Sequence, residues 1–257
     1  MIFSWLKRRR RAKLQSQPFP DEWTQFLDQN VAFYRRLSDD DKAKLRGHVQ
    51  IFVAEKNWEG CGGLTMTDEM KVTIAAQACL LVLSLPGEHF DAVRSILVYP
   101  NAYVAPGRTV TPGGLVIEGD SYRDGEAWVR GPVILSWAET LASARHESDG
   151  RNLVFHEFAH QLDMQHDHIA DGTPALASAE LYERWERVMN DEHKRLTIDC
   201  RQGRPTLLDC YAATNRAEFF AGASECFFER PYALRGRHPA LYAILQEYYQ
   251  QDPTTWG

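Results

Sequence analysis

The sequence predicts an α+β fold that is mostly helical and contains a small mixed sheet. Segments with helical periodicity occupy the first third and the last half of the chain, whereas the middle contains short β-prone runs separated by glycine and proline. Helices that precede and follow a group of strands, instead of alternating with them, are typical of this fold class. With 257 residues, of which 44% are hydrophobic and 25% charged, the chain is large and apolar enough to bury a substantial core.

The first 18 residues are predicted to form a basic, disordered tail, and residues 19–257 a single domain. Five consecutive basic residues, Lys7 to Arg11, are followed by Lys13 and then by the segment Pro18–Pro20. Runs of like charge are typical of solvated, disordered segments. The apolar residues of this segment precede the basic ones, which is the reverse of their order in a secretory signal.

Three helices are predicted between the tail and the strands. Apolar residues recur at three- and four-residue steps across 21–37, which indicates an amphipathic helix. Ser38, followed by three aspartates, is typical of the N-cap and acidic first turn of a second helix that extends to Glu55. Thr67 is suited to cap a third helix, which we expect to continue to Leu83.

The middle of the chain predicts the strands of the sheet, and helices follow them. The β-prone runs are Ser95–Tyr99, Leu115–Ile117, Ala127–Val129 and Val133–Trp137. The dipeptide Asp124-Gly125 is typical of a hairpin turn. Beyond the strands, helical patterns cover residues 138–145, 149–165, 175–196, 215–228 and 240–251.

Charge and cysteine content exclude several classes of protein. Lysine and arginine number 29 against 35 aspartates and glutamates, a net charge of −6, whereas nucleic-acid binders are usually basic. No apolar run approaches the length of about 20 residues that a membrane span needs. Five cysteines, an odd number without a C-x-x-C pair, are interpreted as reduced thiols. We therefore expect a cytoplasmic protein without a membrane span or a direct nucleic-acid partner.

The most informative segment is an H-E-x-x-H motif inside an apolar run that favours a helix. His156 and His160 would lie one turn apart on the same helical face, where both imidazoles can bind one Zn²⁺. Glu157 would stand beside them, in a position to accept a proton from metal-bound water. The motif therefore predicts a zinc site of the kind found in metallopeptidases.

A catalytic zinc also needs a third protein ligand and an open position. His166, six residues after His160, matches the third histidine of a longer zinc motif, but Asp163 replaces the glycine of that motif. Glu218 lies on a later apolar helix, as the third ligand does in His₂Glu enzymes, and Glu225 shares its face. The residues alone favour Glu218 and leave His166 and Glu225 open.

Two further features each have two interpretations. Asp163 falls on the same helical face as His156, where it could orient an imidazole; the alternative is a helix-capping or salt-bridge role. The run Val133–Trp137 could be an exposed edge strand to which an extended substrate peptide adds, or an interior strand of the core.

Three strings of residues together carry a specific resemblance. They are Gly131–Trp137 (GPVILSW), His156–Met164 (HEFAHQLDM), and Tyr211–Thr214 (YAAT) followed by Ala217–Ala221 (AEFFA). In combination they resemble the Mlc titration factor A family of bacterial zinc peptidases. The likeness extends from about residue 19 to the C-terminus.

This resemblance implies a zincin-like fold, similar to the catalytic region of anthrax lethal factor, with one Zn²⁺ per chain. It implies that His156, His160 and Glu218 are the zinc ligands and that Glu157 is the general base. Tyr211 matches the tyrosine expected near the oxyanion.

The resemblance further implies a cytosolic zinc metallopeptidase with aminopeptidase activity on peptides, which also binds the glucose-responsive transcription repressor Mlc. The alternative is a regulatory repressor-binding protein whose zinc site is structural or vestigial. An open site with three ligands favours catalysis, because structural zinc sites are usually closed by four ligands that include cysteine. Gly222 stands where thermolysin-type enzymes have an aspartate, four residues after the ligand glutamate, so we expect the ligands to be supported differently.

Overall fold

A computed structural model describes residues 2–86, 90–101, 109–110, 116–117, 131–146, 150–165 and 169–256. The helices are α1 Ile2–Gln15, α2 Asp21–Asn30, α3 Ala32–Arg36, α4 Asp39–Glu55, α5 Asp68–Leu81, α6 Trp137–Arg145, α7 Leu153–Asp163, α8 Ala179–Arg201, α9 Arg216–Glu229, α10 Pro231–Arg237 and α11 Pro239–Tyr249. The strands are β1 Asn57–Gly60, β2 Ser95–Tyr99, β3 Thr109–Val110, β4 Val116–Ile117 and β5 Val133–Ser136. The protein is mostly helical with a small sheet, as its sequence predicts.

The main sheet has the strand order β1-β2-β5, and both of its strand pairs are parallel, whereas the sequence predicts a mixed sheet. Helix α5 lies between β1 and β2 in the chain, and a crossover of this kind returns the chain so that the next strand runs in the same direction. Strands β3 and β4 form a separate antiparallel pair. The predicted strand 127–129 and the hairpin at 124–125 lie outside the described residues.

The first helices correspond to the predicted segments with one break. Ser38 and Thr67 cap α4 and α5 as predicted, each accepting a hydrogen bond from a backbone N–H three residues on. The single helix expected across 21–37 is divided at Val31 into α2 and α3. Next to the break, the buried amide of Asn30 donates to Glu69 and accepts from Arg145. This tertiary pairing of a buried polar group is not visible in the apolar periodicity.

The N-terminal segment, for which the sequence predicts a disordered tail, forms helix α1 over residues 2–15. Arg11 donates to Glu55 of α4 at 2.5 Å and to Asp91 at 2.6 Å, and Lys7 pairs with the same aspartate. These carboxylates lie 44 and 80 residues from Arg11 in sequence, so local charge patterning could not show them. Basic residues on one face of the helix therefore attach it to the rest of the fold.

A disulfide bond joins Cys200 to Cys210, which corrects the expectation of five reduced thiols. Helix α8 packs against the short 3₁₀ helix Cys210–Ala213, and the two Cα atoms lie 5.7 Å apart, within the usual range for a disulfide. The pairing arises from this tertiary contact and has no signature in the cysteine spacing. Cys61, Cys79 and Cys226 are free thiols.

Helices α5, α7 and α9 form the centre of the core and position the candidate site. Helix α7 buries Phe155 and Phe158, and α9 buries Phe219 and Phe220. With these apolar faces fixed in the core, α7 and α9 each direct another face towards a common cleft. Within the described part of the chain, every helix is too short or too polar to cross a bilayer.

Candidate metal centre

The H-E-x-x-H motif lies on α7, whose N-terminus is held in a buried polar network. Asn152 caps the helix by accepting from the backbone N–H of Phe155 at 3.0 Å. Its side-chain amide donates to Gln77 of α5 and to Glu229 of α9. Because buried polar groups need hydrogen-bond partners, this network fixes how α7 is placed against its two neighbours.

Three side chains converge as candidate metal ligands. The Nε2 atoms of His156 and His160 lie 3.2 Å apart, and the Oε2 atom of Glu218 lies 3.1 and 3.6 Å from them. A tetrahedral zinc ion with bonds of about 2.0–2.2 Å holds its ligand atoms about 3.3–3.6 Å apart. Glu218 Oε2 is buried and makes no well-aligned hydrogen bond with the described residues, so its contacts with the imidazoles leave it available to an ion. Both the spacing and the nitrogen and oxygen donors fit Zn²⁺.

The charges around these atoms also favour a cation. Burial alone would raise the pKa of the Glu218 carboxyl, but the nearby imidazoles hold it well below its usual range. Burial alone would lower the pKa of His156, but its contacts with Glu218 and Glu225 outweigh burial and raise it. The carboxylates of Glu218 and Glu225 therefore affect the pKa of His156 more than burial does, and they stabilise positive charge at the centre of the cluster.

Glu225 supports a candidate ligand and does not join the cluster itself. Its Oε1 atom lies 2.7 Å from Nδ1 of His156, and its Oε2 atom accepts from the backbone N–H of Asn152 at 2.6 Å. A hydrogen bond at Nδ1 leaves Nε2 of the same ring for the metal, as is usual for metal-binding histidines. The sequence could have suggested this role, because Glu225 lies two helical turns after Glu218. The other alternative ligand, His166, lies outside the described residues.

Glu157 and Tyr211 line the same cleft, which has a volume of about 300 Å³. Glu157 is only 7% exposed, and its Oε1 atom has no partner among the described residues. Burial raises the pKa of this carboxyl, although the two imidazoles partly offset the effect. Tyr211 lies on the 3₁₀ helix Cys210–Ala213, with its ring centre 6.5 Å from that of His156.

Gly222 allows the 3₁₀ helix that carries Tyr211 to approach α9 closely. A Cβ atom added at Gly222 would lie 3.0 Å from the Cβ of Ala212, the residue after Tyr211. The aspartate of thermolysin-type enzymes could not stand here without moving this helix. Glu225 supplies the carboxylate that holds the histidine instead, which explains how the ligands are supported without that aspartate.

We expect the substitution Gly222→Ala to lower turnover by about 3- to 10-fold without loss of zinc, because a displacement of a few tenths of an ångström is transmitted to Tyr211. Turnover and zinc content of the purified variant are the measurements. Gly236→Ala is the matched control, since Gly236 is also helical and a Cβ there meets nothing within 4 Å. Equal turnover in the two variants would show that the contact does not position the tyrosine.

Among the described residues, Asp163 makes neither of the contacts considered for it. Its two carboxylate oxygens accept from the backbone N–H groups of Gly172 and Thr173, both at 2.7 Å. It therefore anchors the segment between α7 and α8, and burial raises its pKa to about 6. Among the described residues, Nδ1 of His160 has no hydrogen-bond partner.

Comparison with known proteins identifies the family of this chain. Residues 4–250 match the model of a family described as glucose-regulated metallo-peptidase M90. The chain belongs to the M90 metallopeptidase family.

This M90 chain is 38% identical over 250 residues to "Uncharacterized protein slr2042" of Synechocystis sp., covering 97% of this chain and 90% of the relative. It is 30% identical over 234 residues to Mlc titration factor A of Yersinia pestis, covering 90% of this chain and 85% of the relative. Mlc titration factor A of Yersinia pseudotuberculosis gives the same identity and coverage.

Proposed function

We propose that this chain is a zinc-dependent aminopeptidase that hydrolyses peptide bonds. The observation that carries the proposal is the convergence of His156, His160 and Glu218 beside a buried carboxylate in one cleft. The three side chains would hold Zn²⁺. When bound, the ion would polarise the carbonyl of the scissile bond and lower the pKa of the attacking water. The M90 family's description as metallo-peptidase supports this chemistry.

Glu157 is the proposed general base. Its buried carboxylate directly follows His156 in sequence and lines the cleft with His156 and Glu218. It would take the proton from the attacking water and return it to the leaving amine.

The phenol of Tyr211 would donate a hydrogen bond to the negative charge that develops on the carbonyl oxygen. Strand β5 would hold the substrate main chain, since among the described strands only β2 pairs with it. The aminopeptidase specificity is tested by comparing hydrolysis of amino-acid p-nitroanilides with hydrolysis of their N-acetylated counterparts. Preference for free amino termini, dependent on added zinc, is the expected result; hydrolysis of blocked peptides alone would indicate an endopeptidase.

We expect Tyr211→Phe to lower turnover by about 100- to 1000-fold, the cost of removing one oxyanion donor. Zinc content should stay the same, because the phenol is not among the proposed ligands. The measurement is kcat alongside metal analysis of the same preparation. Unchanged kcat would remove Tyr211 from the mechanism.

The name of one relative supports a second activity. Mlc titration factor A is 30% identical to this chain over most of both proteins. We propose that this chain also binds an Mlc-like transcription repressor, in which case it would act in the cytoplasm. A pulldown with purified repressor, using wild type and Glu157→Gln, tests the interaction and shows whether it depends on catalysis. No retention of the repressor by either protein would reject this activity.

A further inference from the structure

Glu139, in the first turn of α6, is a charged group of the cleft that the proposed mechanism does not use. It lines the cleft together with His156, Glu157 and Tyr211. Its Oε2 atom is buried and has no hydrogen-bond partner among the described residues. Burial raises the pKa of this carboxyl, and no cation among the described residues offsets the effect. The side chain as a whole is half-buried, but a carboxylate oxygen buried without a partner is costly, so a partner from outside the chain would stabilise it.

A purely structural role would be a capping box. Ser136 and Glu139 have the required spacing, and Ser136 Oγ accepts from the backbone N–H of Glu139 at 3.4 Å. In a capping box the glutamate would also accept from the backbone N–H of the cap residue. No such return bond is present among the described residues, so capping does not explain the position of the carboxylate.

The charged groups of the cleft that the structure describes do not pair with Glu139. Arg151, which also lines the cleft, pairs with Asp209. Arg145, at the other end of α6, donates to Asn30. Both arginines are therefore directed to other acceptors.

The position of Glu139 suits the end of a bound peptide. Helix α6 begins where β5 ends, so Glu139 lies just beyond the strand proposed to hold the substrate main chain. A peptide that adds to β5 would have one end close to this carboxylate. The cationic group that every unblocked peptide carries at an end is its N-terminal ammonium.

We infer that Glu139 binds the α-ammonium group of the substrate and thereby selects peptides with a free amino terminus. This inference rests on the proposed function, and it assigns the preference for free amino termini to one residue. A lysine side chain of the substrate offers the same alkylammonium chemistry, so the test has to separate the two sources.

The test measures binding, so that it does not depend on turnover. Leucine hydroxamate, its N-acetyl form and N-acetyl-lysine hydroxamate are titrated into the zinc-loaded wild type, Glu139→Gln and Glu180→Gln. Glu180 is the matched control, because it is an exposed acidic residue in the first turn of α8. We expect the wild type and the control to bind the free-amine compound at least about tenfold more tightly than its acetylated form, and Glu139→Gln to lose that ratio.

Several outcomes would overturn the inference. These are an unchanged ratio in Glu139→Gln, equal weakening of the free and acetylated compounds, or a Glu139-dependent gain only for the lysine compound. Hydrolysis of the matching peptides is measured in parallel. If the peptides are not hydrolysed but the preference for binding the free-amine compound is present, the proposed peptidase function is rejected and the ammonium site stands. If the peptides are hydrolysed but this preference is absent, the ammonium site is rejected and the peptidase function stands.

Discussion

Replacing Glu157 with glutamine is expected to lower turnover by about 10²- to 10⁴-fold while the protein keeps its zinc. Glutamine has nearly the same shape as glutamate but cannot accept the proton of the attacking water. The side chain is buried beside the ligand cluster, and one of its oxygens has no partner among the described residues. The amide should therefore fit without disturbing His156 or His160.

The measurements are kcat, zinc content and melting temperature of the same preparation. Glu183→Gln, on an exposed position of α8, controls for the loss of one negative charge. Turnover within threefold of the wild type would mean that another group is the base. Loss of zinc together with activity would instead make Glu157 part of the metal site.

Replacing Glu218 with glutamine is expected to weaken zinc binding by more than about 100-fold and to abolish turnover at ordinary zinc concentrations. Loss of a residue that hydrogen-bonds a metal ligand lowers metal affinity by about 10- to 100-fold, and loss of a charged ligand itself should lower it further. Because Glu218 lies on α9 and the histidines on α7, the ion would connect two core helices. At about 1,000 times its Kd, a ligand specific for the folded state stabilises it by about 4 kcal/mol.

Zinc titration and thermal melting with and without chelator check this prediction. The matched variant is Glu225→Gln, which replaces the charged acceptor at His156 Nδ1 with a neutral amide and leaves all three proposed ligands. We expect it to weaken zinc binding by only about 10- to 100-fold. If Glu225→Gln lost zinc and Glu218→Gln retained it, the two roles would have to be exchanged.

The parts of this protein that the sequence predicts well depend on local patterns. The caps Ser38 and Thr67 and the helix of the H-E-x-x-H motif each follow from neighbouring residues. The prediction that Glu218 joins His156 and His160 depended on the resemblance to a known family, because spacing alone left His166 and Glu225 open as the third ligand. Spacing places Glu225 on the same helical face as Glu218, and the structure separates their roles, because Glu225 contacts Nδ1 of His156 and does not join the cluster.

The features that the sequence does not predict depend on contacts between distant residues. Strand β1 has the sequence N-W-E-G, without a clear apolar alternation, and is recognisable only by its pairing with β2. The bridge between Cys200 and Cys210 requires the end of α8 to meet the 3₁₀ helix. Helix α1 depends on carboxylates far along the chain. Such long-range partners cannot be inferred from a window of neighbouring residues.

Helix α1 gives the molecule a marked electric dipole. It carries six of the 29 basic residues and no acidic residue, so the remainder of the chain has 23 basic against 35 acidic residues, a net charge of −12. Lys7 and Arg11 are paired, whereas the other basic side chains of the helix are exposed, as are Trp5 and Leu6 on the same helix at 53% and 49%. A field of this kind orients a protein as it approaches a charged body, over a screening distance of about 8 Å at physiological salt. Although its net charge is negative, the molecule therefore presents a cationic pole to any anionic surface that it meets.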